Sequence, residues 1–130
     1  MPNDELDVLI VKENEVIDKM LLATLLKNYL KITETGEVVS EEQFFSLDAK
    51  KKILVFLLAR KVMKLKGIGH LESEDAGPKE ISDKIGIPFG TVGRTLRELV
   101  EKNVIQQTES GKYRVPNFNL HRVKQILGDV

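Results

Sequence analysis

Between Ser46 and Lys66 runs a helical pattern whose middle, Ile53–Ala59 (ILVFLLA), is apolar on every side. A helix without a polar face survives in water only when other elements cover it all round. Ser46 reads as its N-cap, with Asp48 in the first turn, and Gly67 as its stop. The apolar run is far short of the roughly 20 residues that cross a bilayer, so no membrane partner is expected. The elements that follow can cover one side of this helix, which leaves the other to an N-terminal helix. A chain of 130 residues is long enough for one such unit with an appended N-terminal layer.

That layer reads as a helix over Glu15–Tyr29 and a hairpin over LKITETGEVVS, turning at Thr35-Gly36. In the helix Val16, Met20, Ala23 and Leu26 set the period, and Ile17, Leu21, Leu22 and Leu25 broaden the stripe. The preceding Val8–Val11 run reads as the start of the same helix. The leucines spread wider than one packing partner needs, so a second copy is expected to cover the rest, as a homodimer. Charge separates the two ends of the chain. Residues 1–45 carry 4 Lys against 10 Asp and Glu, a net of −6, while residues 46–77 and 78–130 each carry +3. The sum is zero, which argues against a sequence-indifferent nucleic-acid coat. An acidic N-terminal third suits a protein partner and belongs away from phosphates. The absence of cysteine and of a basic leader before MPNDELD points to a cytoplasmic protein.

The stretch Pro78–Pro116 reads as two short helices joined at Gly86, followed by a hairpin. Pro78 suits the first helical turn; Ile81 and Ile85 face inward together, and Lys79, Glu80, Asp83 and Lys84 face out. Gly86 supplies the left-handed conformation of a sharp turn, and Pro88 starts the second helix. With Leu96 as the inward reference, Val92, Leu99, Val100 and Asn103 fall on the buried side. Gly90, Arg94, Arg97, Glu98 and Glu101 fall opposite, and Thr91 borders that face. Phe89 reads as a core staple. Gly90 and Gly93 fit either a close backbone approach or a loosely specified helix. The hairpin runs Val104–Gln107 and Lys112–Val115 around Thr108-Glu109-Ser110-Gly111, with Lys112 and Arg114 at its base. After Pro116, Leu120, Val123, Ile126 and Leu127 mark a final amphipathic helix.

The IxxxIGIPxxTVxRTLxEL run, followed by VI and the GKYRVP hairpin, resembles the winged helix-turn-helix DNA-binding family. It is most similar to small archaeal-type winged-helix regulators with a helix and hairpin before the long helix. The resemblance implies a mostly α fold with a small β component. A winged helix-turn-helix domain over 46–130 would follow a helix-and-hairpin extension over 1–45. It also implies double-stranded DNA binding as a homodimer in transcription regulation. Thr91, Arg94 and Arg97 would take groove-reading positions, with Gly90, Lys112 and Arg114 completing the interface. The chain departs from the family at Gly93, where a larger polar residue is usual, and at the acidic hairpin tip, Glu109. Two alternatives stay open: a winged-helix module that docks protein in a larger assembly, and a replication-linked DNA-binding protein.

No enzyme, cofactor or metal chemistry is expected. His70 with Glu72, Glu74 and Asp75 reads as an acidic loop, since no helical or strand spacing would hold those ligands. Gly67-Ile68-Gly69 lacks the context of a dinucleotide site, and the serines lack that of a nucleophile elbow. Lys50–Lys52 reads as a solvated first turn, with phosphate contact as the alternative.

Overall fold

The computed structural model describes residues 5–10 and 18–128. A 3-10 turn (Glu5–Leu9) comes first, then α1 (Lys19–Leu26), β1 (Leu30–Ile32), β2 (Val38–Ser40) and a one-turn helix α2 (Glu42–Phe45). The long helix α3 (Ala49–Lys66) leads to α4 (Pro78–Ile85), α5 (Phe89–Glu101), the strands β3 (Gln106–Gln107) and β4 (Tyr113–Arg114), and α6 (Leu120–Leu127). The protein is mostly helical, with two small antiparallel hairpins.

All residues of α3 from Ile53 to Ala59 are buried, as an all-round apolar helix requires. Each large side chain among them is worth roughly 1.5–3 kcal/mol in removed apolar surface. The covering elements are α1, α4, α5, α6 and β4. Gly67 ends the helix at φ 67°, in the left-handed region. The N-cap is Asp48 and not Ser46: its carboxylate accepts the Lys51 N–H at 2.9 Å. Ser46 closes α2 instead, its hydroxyl donating to the Gln43 carbonyl at 2.8 Å. Two cap-type residues lay two positions apart, and the intervening turn claimed the first.

The N-terminal helix is shorter than its apolar pattern and turned differently. Asp18 caps it, accepting the Leu21 N–H at 2.9 Å; residues 15–17 lie outside the described residues. Val11 also lies outside them, and Glu5–Leu9 forms a 3-10 turn where an α-helix was expected. Leu22, Leu25 and Leu26 are buried, whereas Met20 is 81% exposed and Ala23 faces solvent. Two elements cover those leucines, α3 on one side and α6 on the other. Met20 and Ala23 stay outside this cover, and Leu22 and Leu26 also border an open groove beside the end of α3. The expected boundary at residues 45/46 also runs through one shared core, which holds Leu22 and Leu25 together with Val123 and Leu127.

The first hairpin pairs Leu30 with Ser40 and Ile32 with Val38. Its turn glycine, Gly36 (φ 94°), lies so close to Gly69 (φ 78°) that a Cβ on Gly36 would sit 2.5 Å from the Gly69 Cα. This backbone-to-backbone contact fastens the N-terminal layer to the end of α3. It also accounts for the glycine pair 67 and 69, one a helix stop and the other a packing surface.

Beyond α3, Gly86 (φ 71°) turns α4 into α5 as expected, and the Ser82 hydroxyl bonds the Ile87 carbonyl at 2.6 Å across that turn. Ile81 is fully buried and Ile85 partly so. Glu80 does not face out alone: it pairs with Arg60 of α3 at 2.7 Å. The second hairpin is shorter than expected, pairing Gln106 with Arg114 and Gln107 with Tyr113. It gains a neighbour from the loop before α4, where Ala76 and Tyr113 form an antiparallel bridge.

Inside that loop Glu74 reaches Lys61, which is 2% exposed, at 2.5 Å. The Lys61 ammonium also donates to the Asn117 side-chain oxygen at 2.6 Å. Burial holds the Lys61 pKa below the usual 10.5; Glu74 works against that shift and the Arg114 charge works with it. Glu74 thus has a structural partner, and among the described residues no group of His, Asp and Glu converges on a metal position.

Two stability predictions follow from these contacts. Gly36→Ala combines a left-handed φ with a backbone overlap and should cost about 1–3 kcal/mol. Gly67→Ala, with open space around its Cβ, should cost less, about 1 kcal/mol; urea midpoints rank the two. Glu74→Gln strands a buried ammonium and should cost about 3 kcal/mol at pH 7. A folded-state lysine pKa below the unfolded value means the folded chain releases this proton first. Its contribution therefore grows more favourable as pH climbs from that lowered pKa toward 10.5. Losing Glu74 lowers the Lys61 pKa further, so the Glu74→Gln deficit against wild type should shrink as pH rises through the alkaline range.

Candidate nucleic-acid interface

The helix α5 is divided lengthwise. Val92, Thr95, Leu96 and Leu99 are buried against the body, while Gly90, Arg94, Arg97, Glu98 and Glu101 are exposed. Thr91 lies half-buried at the border, and its carbonyl accepts the Thr95 hydroxyl at 2.8 Å. Among the described residues neither Arg94 nor Arg97 makes an ion pair or side-chain hydrogen bond, so both guanidinium groups keep their donors for a ligand. No side chain caps the start of α5 at Pro88. Its first amides and the positive end of its dipole therefore share the Gly90 end of the same face.

Two readings of this helix change. Phe89 is no core staple: it is 60% exposed at the N-terminal end of α5. Asn103 does not continue the buried stripe, because the helix stops at Glu101 and Asn103 takes a left-handed φ of 60°. Counting 100° per residue past the true helix end placed it inward. Among the described residues a Cβ at Gly90 or Gly93 would meet no atom within 4 Å outside the helix's own backbone. No packing inside the protein demands a glycine there.

The far end of α5 is held by contacts with no local sequence signal. The Asn119 side-chain amide donates to the Asn103 and Val104 carbonyls at 2.8 and 3.0 Å. An Arg122 guanidinium nitrogen donates to the Lys102 carbonyl at 2.8 Å. These bonds satisfy carbonyls that the helix end leaves open and set the rotation of α5 against the core. The partners are 15 to 20 positions away in the chain, which is why short-range patterns do not reveal them.

The hairpin residues form a separate patch. Lys112 and Arg114 are exposed, as is the acidic tip, Glu109. Arg114 and Glu109 share a shallow cleft with Val100 and Asn103, at the C-terminal end of α5. From Gly90 to Val100 the helix rises roughly 15 Å, so the expected site residues divide into an α5 N-terminal group and a hairpin-base group. Among the described residues no helix is long and apolar enough to cross a membrane. Compared with known proteins, the chain matches no family model, no curated protein and no solved structure.

Since no described residue occupies the space a Cβ would take, Gly93→Ala should stabilise the chain by about 0.5–1 kcal/mol through helix propensity. A higher thermal midpoint is the expected readout; an unchanged or lower one would mean that α5 is strained at that position.

Proposed function

We propose that the protein is a winged-helix DNA-binding protein that regulates transcription, with α5 as its recognition helix. The observation that carries this reading is the lengthwise division of α5: two unpaired arginines stand outward, opposite Val92, Leu96 and Leu99. Supporting it are the α4–Gly86–α5 turn, the hairpin that follows, and the Ala76–Tyr113 bridge, which together follow the element order of a winged helix. Arg94 and Arg97 carry the donors that fit guanine edges or phosphates, and Thr91 and Gly90 allow the helix start to approach. Glu98 and Glu101 require the C-terminal half of α5 to lean away from the phosphates. Lys112 and Arg114 lie at that C-terminal end together with Glu109, so on this reading the α5 arginines carry the affinity and the hairpin base adds at most a peripheral phosphate contact.

A second reading has its own observation. Phe89 stands 60% exposed beside Gly90, and an exposed aromatic at a helix start is the kind of anchor a protein interface uses. On that reading α5 docks a protein, and duplex DNA binds weakly or not at all. A replication-linked DNA binder would share the salt response of a regulator and differ in lacking sequence preference.

Fluorescence anisotropy with random and selected duplexes over a salt series tests the choice. Wild type should bind with a negative log–log salt slope. Arg94→Ala and Arg97→Ala should each cost about 1–3 kcal/mol, with relaxed preference at one base pair wherever the arginine reads a guanine. Equal duplex affinity for wild type and the double variant would favour the docking module.

A further inference from the structure

We propose that a lysine-rimmed apolar groove on the N-terminal layer receives the acidic N-terminal segment of a second copy of this chain, forming a reciprocal dimer. The proposal stands apart from the DNA reading, since none of its residues lies on α5 or the second hairpin. The groove, of about 620 Å³, runs between α1, β1 and the end of α3. Leu26 and Leu65 belong to its apolar floor, and Leu65 is 46% exposed. Lys19, Lys27, Lys31 and Lys66 line it, and among the described residues no carboxylate does. Among the described residues none of these four ammonium groups pairs with an acid; Lys31 donates only to the Lys27 carbonyl, at 3.3 Å.

The occupant is identified by complementarity. Residues 1–45 are net acidic, yet three of their four lysines gather at this one groove. The acids concentrate at the start of the chain, where Asp4, Glu5, Asp7, Glu13 and Glu15 surround an apolar run with a single lysine, Lys12. Within that run Leu9 is 77% and Ile10 70% exposed. The sequence therefore supplies an acidic segment, in which Leu9 and Ile10 are exposed, and the structure supplies a basic groove with an apolar floor. Exchange of the two between copies buries both and closes under two-fold symmetry, with the same contact made twice. A nucleic-acid backbone would answer the lysines but leave the leucine floor without an apolar partner. The acidic segment answers both.

Sedimentation equilibrium on the full chain tests this without DNA. Wild type should run near twice the 14.7 kDa chain mass and dissociate further as salt rises. Leu9→Asp/Ile10→Asp, at positions exposed in the single chain, should raise the dimer Kd at least about 100-fold with an unchanged thermal midpoint. Lys27→Glu/Lys31→Glu and Asp4→Lys/Glu5→Lys should each be monomeric alone, and an equimolar mixture of the two should dimerise again. A wild-type monomer at about 100 μM would overturn the proposal. So would a dimer indifferent to the Leu9/Ile10 pair, or two folded charge variants that fail to associate when mixed.

Discussion

The structure depends on keeping water away from one helix. From Ile53 to Ala59 α3 buries every residue, and a helix in that state has no face from which an element can be spared. Removing α1 and α6 would bare one flank, and removing α4 and α5 would bare another. The N-terminal layer is therefore part of the core and not an ornament on it, as the single cluster joining Leu25 to Val123 shows.

Once α3 is covered, its last polar positions decide how the loops run. Arg60 and Lys61 are adjacent, so their side chains leave the helix about 100° apart. Arg60 takes Glu80 and the Asp75 carbonyl, while Lys61 takes Glu74 and Asn117. Together they hold the loop at Glu74 and Asp75, just before Ala76, the residue that bridges to β4. Among the described residues Arg60 Nε and Asp75 Oδ1 are buried without a hydrogen-bond partner. A buried ion pair adds little stability over an apolar substitute, while loss of one partner strands the other's charge.

The outward surfaces divide by charge in a way the totals hide. The face of α5 offers unpaired arginines, and the groove beside α1 offers unpaired lysines over leucine. On the readings proposed above, the first would take phosphate or base-edge acceptors and the second a segment both acidic and apolar.

Much of this was legible in the residues taken in order. Gly86 and Pro78 mark the α4 boundaries, Gly67 the end of α3, Gly36 and Gly111 the two turns, and the α5 arginines face outward as a 100° step predicts. Each is a local effect: a backbone conformation only glycine takes cheaply, a missing N–H, a helical period. What the tertiary structure alone decided involves residues far apart. It made Asp48 the cap, because Ser46 was taken by a preceding turn, and it turned Met20 outward and Leu22 inward, because α6 arrived to cover that side. It set Gly69 against Gly36, Glu74 against Lys61 and Asn119 under the end of α5. A sequence determines which faces must be buried and where the chain can bend. Which partner buries each face is set by packing between segments that share no local signal.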